Sequence, residues 1–261
     1  MLNILLAPSD NHDARPEGAE VDLVVVHYTG METGAEALHR LRDPAAKVSA
    51  HYLIEEDGRL FQLVEETRRA WHAGVSCWAG RDNVNHTSIG IELVNPGVEF
   101  GYRPFPEGQI ATLEALLADL FDRYDLPPAA LVGHSDVAPG RKADPGELFP
   151  WGRLARQGYG LPPVPVSGPP GPPLPELAPG ASGPAVDGLC RDLRRIGYKV
   201  PALDGMTGAL SPLIGAFQRH FMARTPHPGV EDVPACHEIV TEIMDEETRN
   251  AVDHIAALSR S

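Results

Sequence analysis

The sequence predicts an α/β protein whose mixed β-sheet is flanked by helices, followed by a small all-α domain of three helices. A valine-rich run at residues 21–27 is typical of a buried strand. Further strand-like runs alternate with helical patterns over the first 160 residues. A proline-rich stretch then precedes short amphipathic segments, which indicates a second domain.

In the first domain, each predicted element rests on its own periodicity. Apolar residues at a spacing of three to four between Ile110 and Tyr124 predict a helix that ends before Pro127. An Asp-Gly pair at residues 57 and 58 predicts a hairpin. The predicted strands are 21–27, 52–54, 60–64, 88–94 and 130–133, and a further short helix is predicted at 33–42.

The predicted domains are an N-terminal domain at residues 1–160, a linker at 161–178 and a helical domain at 179–261. Eight of the fifteen residues between Leu161 and Pro175 are proline, so we expect this stretch to join neither a sheet nor a helix. Three amphipathic segments follow. Their apolar residues are Val186, Leu189, Leu193 and Ile196; Leu213, Phe217 and Phe221; and Val252 and Ile255.

Composition excludes several classes of protein. The net charge of -14 disfavours nucleic acid and anionic membranes as partners. Cys77, Cys190 and Cys236 form no CxxC pair, so a disulfide scaffold is not expected. Cys190 and Cys236 could pair, but we expect unpaired, buried thiols. No apolar run approaches the roughly 20 residues of a transmembrane helix.

The first residues match neither a secretory signal nor a lipid-attachment site, so we expect a cytoplasmic protein, with a periplasmic one as the alternative. The sequence leaves the oligomeric state open.

The chain contains a candidate catalytic metal site. His27 ends the strand-like run at 21–27, and His134 follows the run at 130–133. Asp144 lies on the Pro/Gly-rich loop after His134. Two imidazoles and one carboxylate form the ligand set that catalytic Zn²⁺ uses, with a fourth position left for water. Each residue alone would be read as an ordinary core or loop residue; together they predict a zinc hydrolase.

Two further residues are candidates for the chemistry. Glu92 is an acidic residue within an apolar strand, where burial is costly unless the carboxylate is used; it could move a proton during hydrolysis. Equally, its face of an antiparallel edge strand could be solvated. Lys142 could stabilise the negative charge that forms on an attacked carbonyl, or be an exposed loop lysine.

Three residues are weaker candidates for substrate binding. His51 could contact substrate or be packed within a strand. Trp71 and His72 resemble the wall of a pocket, although a core position for the tryptophan is the usual outcome.

Five motifs together resemble the zinc-dependent N-acetylmuramoyl-L-alanine amidases of the type-2 amidase family, which is related to the peptidoglycan-recognition proteins, and most closely the AmiD and AmpD branches. The resemblance covers most of residues 1–157 and keeps the family order. The motifs are Val25-Val26-His27-Tyr28-Thr29, Ser49-Ala50-His51-Tyr52, Ala70-Trp71-His72-Ala73-Gly74, Ser88-Ile89-Gly90-Ile91-Glu92, and His134 to Pro139 with Asp144-Pro145-Gly146.

The resemblance implies hydrolysis of the amide between N-acetylmuramic acid, or its 1,6-anhydro form, and L-alanine of the stem peptide. It implies that His27, His134 and Asp144 bind zinc, that Glu92 is the acid/base and that Lys142 is the electrostatic stabiliser. Residues 179–261 resemble a peptidoglycan-binding three-helix module more loosely, because residues 225–236 depart from that pattern.

Two other hypotheses remain at this stage. A recognition protein would bind muropeptides without cutting them, which the complete ligand set and Glu92 disfavour. A wall anchor would rely on residues 179–261, and this segment alone would then bind isolated cell walls. Whether intact wall or recycled anhydro-muropeptide is the substrate stays open.

Overall fold

The computed structural model describes residues 2–166, 170–201, 210–224 and 240–259. In chain order the strands are β1 (Ile4–Leu6), β2 (His12–Ala14), β3 (Leu23–Tyr28), β4 (Tyr52–Ile54), β5 (Leu60–Gln62), β6 (Arg68–Ala70), β7 (Cys77–Trp78), β8 (Arg81–Asp82), β9 (Ser88–Leu93), β10 (Leu131–Gly133), β11 (Val164–Val166) and β12 (Met222–Arg224). The helices are α1 (Gly34–Arg42), α2 (Gly97–Phe100), α3 (Glu107–Tyr124), α4 (His134–Val137), α5 (Trp151–Ala155), α6 (Pro184–Ile196), α7 (Ser211–Phe221) and α8 (Glu246–Leu258).

Contact density divides the chain into two compact units, Met1–Ser76 with Asn83–His134, and Cys77–Asp82 with Ser135–Ser261. Each unit therefore draws on two separate stretches of sequence. The domain boundaries at residues 160 and 178 stay a prediction.

The first unit is built on a six-stranded sheet with the order β1-β5-β4-β9-β3-β10. The pairings β1·β5, β4·β9, β9·β3 and β3·β10 are parallel, and β4·β5 is antiparallel. The mixed sheet and the hairpin between β4 and β5 confirm the fold class predicted from the sequence. Strands β3 and β9 are buried along nearly their whole length, as is typical of central strands in a parallel part of a sheet.

Helix α1 begins with a capping box. The hydroxyl of Thr33 accepts a hydrogen bond from the backbone N–H of Glu36, whose carboxylate accepts one from the backbone N–H of Thr33. The inner face of the helix, with Ala37 and Leu41, packs in a core cluster that includes Leu53. The helix predicted at 33–42 is confirmed.

The carboxylate of Glu66 ties the end of helix α3 to the sheet. It accepts hydrogen bonds from the hydroxyls of Tyr52 at 2.6 Å and Tyr124 at 2.7 Å, and from both terminal nitrogens of Arg123 at 2.7 and 2.8 Å. Burial acts to raise the pKa of Glu66, but the hydrogen bonds from Arg123, Tyr52 and Tyr124 outweigh it and bring the pKa to about 2. This carboxylate therefore stays ionised over the whole physiological range.

In the second unit the three helices predicted from the sequence appear as α6, α7 and α8. Gln218 links two of them, because its amide donates to the hydroxyl of Thr248 and to the carbonyl of Ile243. Asp245 caps α8 by accepting from the backbone N–H of Thr248 at 2.8 Å.

The proline-rich stretch corrects one expectation. Residues Val164–Val166 form β11, which pairs in parallel with β12, so part of the predicted linker does join a sheet. Pro165 is compatible with this because every strand of a two-stranded sheet has one free edge, where a missing N–H breaks no ladder hydrogen bond.

The thiols of Cys77 and Cys190 are free and buried, as predicted. Cys236 and the departure at residues 225–236 lie outside the described residues. Within the described part of the chain, no helix is long and apolar enough to cross a membrane.

We expect Glu66→Gln to lower the free energy of unfolding by about 1–3 kcal/mol at pH 7, because Arg123 and two tyrosine hydroxyls lose a charged acceptor. The carboxylate of Glu66 has its pKa lowered by folding, so its contribution is present above about pH 4.5 and is lost as the pH falls towards 2. Denaturant unfolding at several pH values measures both effects. Glu65→Gln, at the exposed neighbouring position, is the matched control, and an equal effect of the two substitutions would contradict the assignment.

Candidate metal centre

Parallel strand pairing brings three of the predicted site residues to one edge of the sheet. In the register of β3 and β9, His27 pairs with Glu92. In the register of β3 and β10, Val26 pairs with Gly133, so His134 follows β10 at the level of His27. Parallel neighbours in register direct their side chains to the same face of the sheet. Glu92 therefore lies on a central strand with parallel neighbours, and its expected place on an antiparallel edge strand is wrong.

His27, His134 and Asp144 form a group that fits a metal ion. Each offers one ligand atom, and these atoms lie within 4.8 Å of one another. The three residues are only 1%, 4% and 5% exposed. Tetrahedral Zn²⁺ with ligands at about 2.0–2.1 Å holds neighbouring ligand atoms about 3.3 Å apart, and Nδ1 of His27 lies 2.9 Å from Nδ1 of His134. Two imidazoles and a carboxylate are the donor set that zinc takes in hydrolases.

The orientation of His134 follows from its other ring nitrogen. Nε2 of His134 lies 3.2 Å from the carbonyl oxygen of Ala73. A carbonyl only accepts, so we assign the ring proton to Nε2. Nδ1 then keeps its lone pair on the side that faces His27, as a metal ligand requires.

The loop that carries Asp144 is closed by a backbone hydrogen bond. The N–H of Ser135 donates to the carbonyl of Asp144 at 2.9 Å, so the eight residues between them form a loop whose two ends lie next to each other. This bond explains how a ligand ten residues after His134 returns to it.

Buried side chains from the C-terminal part of the same unit support this loop. The carboxylate of Asp136, which is 0% exposed, accepts from the hydroxyl of Tyr198 at 2.6 Å and lies 2.7 Å from Nδ1 of His220. The ring of His220 is stacked between Trp151 and Phe221. Nothing in the sequence pattern indicates these long-range partners of Asp136.

Lys142 is exposed and lies two residues before Asp144. Its backbone N–H donates to the carbonyl of Ala138 in a tight turn. The electrostatic role of this lysine stays a prediction.

His51, a candidate for substrate binding, is 0% exposed. Its Nδ1 accepts from the backbone N–H of Gly90 at 2.9 Å, and its Nε2 lies 3.1 Å from both the Arg68 carbonyl and the Arg15 guanidinium. Burial, and then the charge of Arg15, lower the pKa of His51 to about 3, so the ring is neutral. His51 is thus a packed residue directly before β4, and a contact with substrate stays a prediction.

The other two candidates differ from each other in burial. Trp71 is half-buried, and its backbone N–H donates to the hydroxyl of Ser49 at 2.9 Å. His72 is 8% exposed, and its Nδ1 lies 3.0 Å from Nε2 of His27. Burial, and then the neighbouring imidazole of His27, hold the pKa of His72 well below its usual value. The structure thus places His72 against a predicted metal ligand.

Ser88 also belongs to this group of side chains, although it is not among the residues predicted from the sequence; its hydroxyl lies 3.0 Å from Nε2 of His72. The alternation of residues along β9 could have indicated Ser88 from the sequence. Ser88, Gly90 and Glu92 alternate along β9 and share one face of the strand, so the face that carries Glu92 also carries this hydroxyl.

The chain is similar to proteins of known function. The profile of the family described as N-acetylmuramoyl-L-alanine amidase matches residues 17–147. The chain is 42% identical over 153 residues to the N-acetylmuramoyl-L-alanine amidase AmiD of Escherichia coli, covering 54% of each sequence. It is 39% identical over 164 residues to the 1,6-anhydro-N-acetylmuramyl-L-alanine amidase AmpD of Enterobacter cloacae, covering 56% of this chain and 86% of AmpD. The match thus spans about half of AmiD and most of AmpD.

Solved structures extend the similarity beyond the matched family segment. The AmiD structure from E. coli, in complex with anhydro-N-acetylmuramic acid-L-Ala-D-γ-Glu-L-Lys, aligns with a TM-score of 0.69 and 32% identity, covering 94% of this chain and 92% of AmiD. AmpDh3 of Pseudomonas aeruginosa aligns with a TM-score of 0.72 and 32% identity, covering 94% and 95%.

We expect Asp144→Ala to weaken zinc binding by more than ~100-fold, because even residues behind the ligands typically contribute 10–100-fold. Competition with a chromophoric chelator measures the affinity of the purified chain. Asp122→Ala, at an exposed position on α3, is the control and should leave the affinity unchanged. Thermal unfolding of the zinc-free proteins separates loss of a ligand from loss of the fold. Unchanged affinity in a folded Asp144→Ala protein would remove Asp144 from the site.

Proposed function

Because the chain belongs to the family of N-acetylmuramoyl-L-alanine amidases, we propose that it hydrolyses the amide between N-acetylmuramic acid, or its 1,6-anhydro form, and L-alanine of the stem peptide. The observation that carries the proposal is the grouping of His27, His134 and Asp144. These residues are distant in sequence and supply the donor set of a catalytic zinc.

In this proposal the two imidazoles and the carboxylate hold one zinc ion. The ion supplies Lewis-acid activation of water and of the amide carbonyl. The protein itself contributes to the reaction by burying the three proposed ligands. This burial places the reacting groups in a region of reduced dielectric constant. Electrostatic effects are stronger there than in bulk water.

Glu92 is proposed to move the proton. Its carboxylate is partly buried at the C-terminal half of β9, in register with His27. Such a carboxylate can take a proton from the attacking water and give it to the nitrogen of the departing alanine. The C–N bond then breaks to yield a free carboxylate on the lactyl group and a free amine on the peptide.

Lys142 is proposed to stabilise the negative charge on the attacked carbonyl oxygen. Its ammonium is carried by the same loop as Asp144, two residues earlier. A positive charge at this point lowers the energy of the tetrahedral intermediate more than that of the neutral amide, which is the requirement for catalysis.

The substrate class is supported by the ligands of the relatives. AmiD of E. coli was solved with an anhydro-muramyl tripeptide, and AmpDh3 of P. aeruginosa with an anhydromuramic pentapeptide. We therefore propose muropeptide fragments with an anhydro sugar as substrates of this chain. Digesting purified anhydro-muropeptides and intact sacculi side by side tests this preference, and cleavage of sacculi alone would contradict it.

We also propose that residues 179–261 bind glycan strands, as their resemblance to peptidoglycan-binding modules implies. Co-sedimentation of the full chain carrying Glu92→Gln with insoluble sacculi tests this. A chain that stays in the supernatant would contradict it. Residence in the cytoplasm remains a prediction that fractionation of cells can test.

Chelation separates an amidase from a recognition protein. We expect the wild-type chain to release peptides with a free N-terminal alanine, to lose this activity with a chelator and to regain it with Zn²⁺. Mass spectrometry of the products measures the cleavage. A chain that binds muropeptides and cleaves none in either state would be a recognition protein.

We expect Glu92→Gln to lower kcat by ~10²–10⁴-fold, because it removes the group that transfers the proton. Lys142→Met should lower kcat by a comparable factor with little change in KM. Zinc affinity should stay close to that of the wild type in both. The controls are Glu20→Gln and Lys47→Met, at exposed positions outside the site. Wild-type kcat in either site variant would exclude that residue from the reaction.

A further inference from the structure

A line of three hydrogen bonds runs from the predicted metal ligand His27 to the main chain. Nε2 of His27 lies 3.0 Å from Nδ1 of His72, and Nε2 of His72 lies 3.0 Å from the hydroxyl oxygen of Ser88. That hydroxyl lies 2.7 Å from the carbonyl oxygen of Val84. The three side chains are 1%, 8% and 0% exposed, so little solvent reaches these bonds.

The last bond determines the direction of the others. A carbonyl oxygen only accepts, so the single hydroxyl proton of Ser88 belongs to the bond with Val84. Ser88 must then accept from His72, which places the ring proton of His72 on Nε2. Nδ1 of His72 is left as an acceptor and receives the Nε2–H of His27. The reverse direction would place two acceptor oxygens 2.7 Å apart without a proton between them.

This direction determines which nitrogen of His27 can bind a metal. With its proton on Nε2, His27 keeps the lone pair on Nδ1. Nδ1 is the atom that lies 2.9 Å from Nδ1 of His134, which the Ala73 carbonyl holds in the same tautomer. Both imidazoles thus present unprotonated Nδ1 atoms to the same point.

We propose that His72 is a positioning residue: together with Ser88 it fixes the tautomer and ring orientation of His27, so that Nδ1 of His27 is preset for the metal. This inference rests on the proposed function, which supplies the zinc. It assigns His72 a different role from the substrate contact expected from the sequence, since both of its ring nitrogens face protein groups.

Gly90 on strand β9 leaves room for the imidazole ring of His72. A Cβ atom at Gly90 would lie 2.3 Å from Cγ of His72, which is closer than real carbon atoms approach. The absence of a side chain at Gly90 thus lets the imidazole lie directly on β9, between Ser88 and the edge where His27 is located. Any larger residue at this position would displace the ring from both partners.

The tautomer can be measured without metal or activity. In the full-length, metal-free protein labelled with ¹⁵N-histidine, long-range ¹H–¹⁵N spectra at pH 8 distinguish protonated from unprotonated ring nitrogens. We expect the Nε2–H tautomer for His27 and His72, with resonances assigned by comparison with His72→Phe. Ser88→Ala should change the ring signals of His72. An Nδ1–H tautomer of His27 would overturn the proposal.

Zinc affinity supplies the second measurement. His72→Phe keeps a flat ring but offers no acceptor, and we expect it to bind zinc 10–100-fold more weakly than the wild type. His72→Asn places its side-chain oxygen near the position of Nδ1 and should recover much of that loss. His39→Phe, which replaces a histidine on helix α1 outside the site, should have no effect.

Steady-state kinetics at saturating zinc distinguish positioning from substrate binding. We expect an unchanged KM for His72→Phe once its zinc site is filled. A raised KM together with wild-type zinc affinity would overturn the proposal in favour of a substrate contact. A wild-type chain that binds no zinc would contradict the proposed function, and the NMR measurement would still decide the tautomer.

Discussion

The parallel pairing of β3 with β9 on one side and β10 on the other is the constraint on which the site depends. It pairs His27 with Glu92, and it brings His134, which directly follows β10, to the level of His27. Because the three strands are buried and have strand neighbours, a slip of one residue would turn an imidazole or a carboxylate into the opposite face. The register of these buried strands therefore also determines the relative positions of His27, Glu92 and His134.

Hydrogen bonds to polar side chains and to the backbone orient the predicted ligands that the sheet brings together. Backbone carbonyls only accept hydrogen bonds, so they determine where the ring protons lie. The carbonyl of Ala73 does this for His134 directly, and the carbonyl of Val84 does it for His27 through Ser88 and His72. The loop of Asp144 returns to His134 through one main-chain bond, and its Asp136 is held by Tyr198 and His220. The predicted ligands are thus oriented by groups outside the predicted ligand set, which is how rigid metal sites are usually built.

Much of the fold follows from periodicity alone. The helix at 33–42, the hairpin around Asp57-Gly58 and the strand before His134 are short-range patterns, and all three are confirmed. The proline-rich stretch is a case in which local sequence patterns gave the wrong prediction. Whether Val164–Val166 pairs with anything depends on a partner strand more than fifty residues away, and local composition contains no information about it.

The sequence by itself determined the donor types of the proposed site, because two histidines at strand ends and an aspartate on the following loop already limit the metal that such a site would take. It also determined the elements that carry them, through hydrophobic spacing. Only the tertiary structure decided that Glu92 lies on a central parallel strand, that His72 contacts His27 and that Ser88 and Gly90 accommodate its ring. These are contacts between segments far apart in the chain, and their geometry arises from packing, which no local pattern encodes.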